Sequence, residues 1–244
     1  MNTTQPNEHK IVIKGFLQTI YLFILTFKYL IQSYLYPKNI LKLKQQWAQQ
    51  AIRWMGYQLE SSGKIHPENK VIFVGNHISF IDILVLMAIH PRISFVAKKE
   101  IRSWPIIGWG AQRIGTVFVD RNNKQSRSTA KDQLIQSFAN ETELHLALFP
   151  SGTTQLSELK PWKKGIFEVA HQTQTPIQMF YIHYEPPRES AYIDDDHLFT
   201  KLIEVFQKKN KKVKIVWGPI ILSKDPIMEA STTRLWTLQE ALCH

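Results

Sequence analysis

Hydrophobic and polar positions fall into two textures that change near residue 56. From Gly15 to Phe27 the chain reads GFLQTIYLFILTF, and after Lys28 it continues YLIQSYLY up to Pro37. This stretch is apolar nearly all round, which predicts a helix with almost no polar face. Pro37 breaks it, because proline lacks a backbone N–H and disfavours helical geometry in the residue before it. A second helical pattern follows, with Ile40, Leu41, Trp47, Ala51, Ile52, Trp54 and Met55 at roughly helical spacing and Gly56 as its stop. From Tyr57 onward, short apolar runs alternate with helical patterns. Strands are predicted over 71–74, 94–97, 116–119, 144–149, 177–182 and 213–217, the first a continuous apolar run suited to burial on both faces. Helices are predicted over 80–89, 100–112, 124–140, 165–173, 197–208 and 226–242. The alternation predicts an α/β fold, a mostly parallel sheet flanked by helices. Two parts are expected: a membrane-associated helix pair at 1–56 and an α/β domain at 57–244.

The helix pair is aromatic-rich and basic, the make-up of an interfacial, in-plane or re-entrant membrane anchor. A pair of ordinary amphipathic core helices is the alternative. A signal peptide would have a shorter apolar core and small residues at a cleavage site. A clean transmembrane span is also a poor fit, since the 13 uncharged residues from Gly15 to Phe27 reach only ~20 Å as a helix against a hydrocarbon core of ~30 Å. Extension to Tyr36 puts Lys28 near mid-helix, at a cost of ~2.5–3.5 kcal/mol unless the side chain snorkels.

Composition narrows the class. Of 244 residues, 44% are hydrophobic and 11% aromatic, which excludes a largely disordered chain. The single cysteine, Cys243, excludes an internal disulfide framework and a Cys-cluster metal site, and permits a reducing, cytosol-facing location. The net charge of +10 calls for an anionic partner, and its distribution says which. Residues 1–60 carry seven Lys/Arg against two acids, residues 200–214 carry six lysines against Glu204, and the remainder balances. The chain reads as a neutral body with two basic patches that dock on anionic lipid. The stretch K-K-N-K-K-V-K (208–214) lacks interleaved aromatics, so no nucleic-acid partner is expected. No histidine pair shows metal-ligand spacing, and Asp194-Asp195-Asp196 reads as a solvated helix start, so neither a metal nor a cofactor is expected. The apolar stretch Trp104–Trp109 suits an acyl groove, a lipid contact or core equally well.

The chemistry concentrates in GNHISFID, residues 75–82. His77 falls in the loop after a strand, and Asp82, five residues on, in the first turn of the next helix. A carboxylate on one ring nitrogen fixes the tautomer and stabilises the imidazolium, leaving the other nitrogen free to take a proton. That describes a general base. A surface histidine beside a helix-start aspartate would share the spacing. Further segments extend the pattern: GTVFVDR (115–121), LFPSGTT (148–154) with PWKKG (161–165), and TPIQMF (175–180). Strand C-terminal ends are where open α/β sheets build ligand crevices, so one crevice can collect His77, Arg121 and the 150–154 turn.

The ordered set NHISFID, GTVFVDR, FPSGTT with PWKKG, and TPIQMF resembles the four blocks of the glycerolipid acyltransferases, the lysophosphatidic acid acyltransferase (1-acylglycerol-3-phosphate O-acyltransferase) family. The resemblance covers residues 75–180 and implies transfer of a fatty acyl group from a thioester to a lysolipid hydroxyl. On that reading His77 deprotonates the acceptor hydroxyl while Asp82 holds and polarises it. The alkoxide then attacks the thioester of acyl-CoA or acyl carrier protein, with no covalent acyl-enzyme. The Gly152/Thr153 turn is a candidate oxyanion donor, and Arg121 and then Lys163 are candidates for an acceptor phosphate. The resemblance implies work at the cytoplasmic face of a bacterial inner membrane, with lysophosphatidic acid as the first-choice acceptor and phosphatidic acid as product.

One departure matters. The family usually has Glu in its third block, F-P-E-G-T, where this chain has Ser151. That Glu is associated with acceptor binding, so a different lysolipid, a lyso-aminolipid or another lysophospholipid, is the alternative acceptor. Ser151 also invites a Ser-His-Asp hydrolase mechanism, but the segment lacks the G-x-S-x-G elbow. A non-catalytic basic membrane-binding protein is the alternative from another class, and the His77/Asp82 pair argues against it.

Overall fold

A computed structural model describes residues 6–120, 122–193, 196–208 and 210–243. The chain opens with α1 (Pro6–Leu35), a 3-10 turn at Pro37–Asn39, and α2 (Ile40–Trp54). Then come β1 (Tyr57–Ser62), β2 (Lys70–Gly75), α3 (Ile81–Ile89) and β3 (Ile93–Lys98). A 3-10 segment at Lys99–Ser103 leads to α4 (Ile107–Arg113), β4 (Val117–Val119), α5 (Lys124–Asn140) and β5 (Leu144–Leu148). The rest is α6 (Gly165–Thr173), β6 (Ile177–Glu185), α7 (Pro187–Ser190), α8 (Leu198–Gln207), β7 (Lys211–Ile221) and α9 (Pro226–Cys243).

The seven strands form one sheet in the order β1-β7-β6-β2-β5-β3-β4. Every neighbouring pair is parallel except β6 with β7. The α/β, mostly parallel architecture is therefore the one predicted. Alternation along β2 shows how the sheet fills both faces. Val71 and Phe73 join α2 and α3 in one core cluster, while Ile72 and Val74 join α5 and α6 in the other. Because β2, β5, β3 and β4 run parallel, their C-terminal ends share one edge, and the loops after them can build a single site.

Four expectations are corrected. The predicted helix over 100–112 is broken at Trp104-Pro105, where proline withholds a donor and Ile106 takes φ 64°. Strand β1 was not predicted, because YQLESS is polar outside its first and third positions, as an edge strand permits. Helix α2 is a core helix: Lys44, Ala48, Ala51 and Ile52 form a buried stripe against α3, so the main core crosses residue 56. The basic patches are also thinner than the charge count suggests. Lys44 and Lys201 are buried on the carbonyls of Ile93 (2.8 Å) and Arg188 (3.3 Å), and Lys211 on that of Val205. Burial lowers Lys44 and Lys211 to about 8. Lys209, Asp194 and Asp195 lie outside the described residues, while Asp196 closes a turn through the Ile193 amide (3.0 Å) and pairs with Arg188 (3.2 Å).

Helix α1 is less uniform than its sequence. Thr19, Leu25, Leu30 and Ser33 face inward, and the two hydroxyls bond back to Gly15 and Leu30 carbonyls at 2.9 and 2.7 Å. Phe16, Ile20, Ile24, Phe27, Ile31 and Leu35 form an exposed apolar row along its other side. Val12–Leu35, 24 residues, is long and apolar enough to cross a membrane by length and composition. Trp54, Trp104, Trp109 and Phe199 are also exposed. Such a row in water would be a large unsatisfied apolar surface, and it supports association with a membrane.

Candidate active site

The loop after β2 is pinned before it reaches His77. Gly75 lies so close to β6 that a Cβ there would sit 2.3 Å from the Phe180 carbonyl oxygen. Asn76 then makes two bonds to Ile182, donating to its carbonyl and accepting from its amide, both at 2.8 Å. The chain turns, and Asp82 enters the first turn of α3, where a negative charge is favoured.

His77 Nδ1 and Asp82 Oδ2 are 2.7 Å apart. Asp82 is fully buried and its carboxylate is surrounded by donors. Oδ2 also accepts from the Ile78 and Ser79 amides at 2.8 and 3.0 Å, and Oδ1 accepts from the Tyr184 hydroxyl at 2.6 Å. Burial and the adjacent Asp82 charge hold the Tyr184 hydroxyl far above its ordinary range, so it stays a donor. With a carboxylate acceptor opposite Nδ1, that nitrogen carries the proton and Nε2 holds the lone pair. Nε2 makes no hydrogen bond among the described residues, and the His77 side chain retains 18% exposure. The ring stacks on Phe149, centroids 3.9 Å apart and planes at 11°, which removes its rotational freedom. A fixed imidazole with a free, accessible Nε2 can take a proton from a hydroxyl and stabilise the resulting charge through Asp82.

The loop after β5 lies alongside. Phe149 and Pro150 lead into a turn in which the Gly152 amide donates to the Phe149 carbonyl (2.9 Å) and Gly152 has φ 75°. Ser151 is buried, and its hydroxyl donates to the Thr153 carbonyl (3.0 Å). No hydrogen bond links Ser151 to His77 among the described residues, so the geometry does not assemble a Ser-His-Asp triad. The Lys163 Nζ packs against this turn, 2.6 Å from where a Gly152 Cβ would stand, and its amide donates to Pro150 (3.1 Å). The turn is tied to the base through the Gln155 amide, which donates to the His77 carbonyl at 2.8 Å. Thus His77, Asp82 and the Ser151-Gly152-Thr153-Lys163 group share one edge of the sheet. Arg121 lies outside the described residues.

A cleft of about 530 Å³ opens at the C-terminal ends of β3 and β4, lined by Lys99, Glu100, Arg102, Ser103, Gln112 and Asp120. Sequence reading missed this group, together with Phe149, Glu158 and Tyr184. Only Phe149 and Asp120 lay inside quoted blocks; the others are brought in by the fold.

The family model for acyltransferases matches residues 57–183, which span His77, Asp82 and the Ser151 turn. A lyso-ornithine lipid O-acyltransferase of Pseudomonas aeruginosa is 30% identical over 183 residues, 71% of this chain and 67% of that enzyme. A 1-acyl-sn-glycerol-3-phosphate acyltransferase of Neisseria meningitidis is 32% identical over 131 residues, covering 53% of this chain and 50% of its own. The chain thus spans between half and two thirds of these relatives. The crystal structure of the 1-acyl-sn-glycerophosphate (LPA) acyltransferase, PlsC, from Thermotoga maritima superposes with a TM-score of 0.70 over 93% of this chain and 95% of that one, at 18% identity, which shows the fold. With its buried aspartate, oriented histidine and matching family model, the chain belongs to the acyltransferase family, among the enzymes that acylate lysolipids.

Proposed function

We propose that the acceptor is a lyso-aminolipid of the lyso-ornithine type. The observation that carries this reading is the match over 71% of the chain to a lyso-ornithine lipid O-acyltransferase. A second such enzyme, from Brucella abortus, is 33% identical over 144 residues. The site agrees in two ways. Ser151 contributes no carboxylate where glycerolipid enzymes usually have one. The cleft beside Asp120 presents both signs of charge, Lys99 and Arg102 with Glu100 and Asp120. An ornithine head group carries an ammonium and a carboxylate, and such a cleft can pair with both.

The proposed reaction keeps the order the geometry allows. His77 Nε2 takes the proton of the acceptor hydroxyl as the oxygen attacks the thioester carbonyl, and collapse of the tetrahedral intermediate expels the thiolate. The donor is acyl-CoA or acyl carrier protein. The Gly152 amide is engaged in its turn, so the Thr153 amide is the backbone donor proposed for the oxyanion. Lys163 and Arg121 are proposed to hold acceptor anions. Helix α1, with its exposed apolar row, docks the rest of the chain on the cytoplasmic face of a bacterial inner membrane.

The test is transfer from a labelled acyl thioester to a panel of lysolipids by purified protein. The reading expects lyso-ornithine lipid to be acylated with the highest kcat/KM. Preference for 1-acylglycerol-3-phosphate would return the acceptor to the glycerolipid class, and transfer to none would remove the reaction.

A further inference from the structure

Glu158 is the sole acid between Glu143 and Glu168, it falls outside the four blocks, and the mechanism above makes no use of it. It is nonetheless buried to 3% exposure beside the base. Its Oε1 accepts from the His77 backbone amide at 3.1 Å. Its Oε2 accepts from Gln155 Nε2 at 2.6 Å and Trp162 Nε1 at 2.7 Å. All three partners are donors, so the pocket suits a carboxylate rather than an acid or an amide. Burial raises its pKa, and the three donors and the nearby His77 act in the opposite direction.

The same segment grips His77 a second time, because the Gln155 amide donates to the His77 carbonyl at 2.8 Å. Both backbone groups of His77 are thus held by residues 155–158. That segment is in turn fastened to α9, where Arg234 donates to the carbonyls of Glu158 and Leu159, each at 2.7 Å. Asp82 and Phe149 hold the ring, and Glu158 with Gln155 holds the backbone from which the ring hangs. The charged groups facing the imidazole are Asp82 from α3 and Glu158 from the loop after β5, with the Arg234 guanidinium behind Glu158 on α9.

We propose that Glu158 is a positioning residue for the transfer reaction: its carboxylate fixes the His77 backbone and adds a second negative charge beside the imidazolium that forms when the acceptor hydroxyl is deprotonated. This assignment is independent of which lysolipid is the acceptor. It also gives the loop carrying Ser151 a direct mechanical link to the base.

The test is Glu158→Gln, assayed with whichever lysolipid the wild type acylates. The amide must turn its NH2 toward at least one of the three donors, and the charge is lost. The expected result is a fall in kcat of about tenfold to a hundredfold, the size of effect a small misplacement of a reacting group produces. Acceptor KM should stay within about twofold. The acid limb of the kcat/KM profile should move to lower pH, because one of the two carboxylates favouring the protonated base is gone. An unchanged kcat, a loss confined to KM, or an acid limb that does not move would overturn the assignment. A thermal melt checks the fold. If Glu158→Gln does not fold, Trp162→Phe removes one donor and keeps the carboxylate; it should lower kcat with the acid limb in place, and wild-type kcat in that variant would overturn the positioning role.

Discussion

Two stretches of the same sheet edge are built differently. After β2 and β5, the polar groups around His77 are saturated: Asp82 accepts four hydrogen bonds, Asn76 is bidentate to Ile182, and the ring is clamped on Phe149. After β3 and β4, Lys99, Glu100, Arg102 and Gln112 stand exposed around an open cleft. A proton transfer needs a base held to a fraction of an ångström, whereas head-group recognition tolerates side chains that adjust to their ligand. The division lets acceptor recognition vary without disturbing the base. It predicts that damage at the first stretch appears in kcat and damage at the second in KM.

The largest effect is expected at the base. His77→Ala should lower kcat by about a thousandfold, the middle of the range for losing a general base. Asp82→Asn should come close to it, because the amide no longer enforces the tautomer with the proton on Nδ1. Neither variant touches the exposed row on α1, so vesicle co-sedimentation should match wild type. Retained transfer in His77→Ala would place the base elsewhere.

Smaller and of a different kind is Glu100→Gln in the cleft. It should raise KM for a lyso-aminolipid by about tenfold, a loss of ~1.4 kcal/mol, with kcat unchanged. The KM for 1-acylglycerol-3-phosphate should not rise. A parallel fall in kcat would show that the two stretches are not separable.

The smallest effect concerns stability, away from the edge. His145 Nε2 lies 2.9 Å from the Glu68 carbonyl and must donate, so its Nδ1 accepts from His90 Nε2 at 2.8 Å. Burial first, then the charges of His145, Arg92 and Lys44, lowers His90 to about 4. The unfolded chain therefore binds the proton more readily, at the ordinary value near 6.5. Stability is complete above that value and declines as pH falls from about 6.5 toward 4. Melts at pH 7 and pH 4.5 should show that decline in wild type and a smaller one in His90→Gln.

What the sequence revealed depended on distance along the chain. His77 and Asp82 are five residues apart and lie within one strand–loop–helix unit, so local geometry was enough to pair them. Tyr184 reaches Asp82 from 102 residues away and Glu158 reaches His77 from 81, through sheet order that no local pattern encodes. The same limit explains α2. It shares aromatic and basic residues with α1, but Ala48, Ala51 and Ile52 supply a close-packing stripe against α3, and the tertiary contact distinguishes core from anchor. Charge counts misled for a related reason, since Lys44, Lys201 and Lys211 bury their stems and satisfy their ammonium groups on backbone carbonyls. The mostly parallel sheet was legible because apolar strand runs alternate with helical patterns along the chain.

The central claim is direct transfer driven by His77, with no covalent step at Ser151. The most direct measurement mixes the protein with a labelled acyl thioester in the absence of acceptor, quenches, and weighs the intact chain by mass spectrometry. The account predicts an unmodified mass, and label appearing only in lipid product once acceptor is added. An acyl adduct that maps to Ser151 and disappears when acceptor is supplied would contradict it.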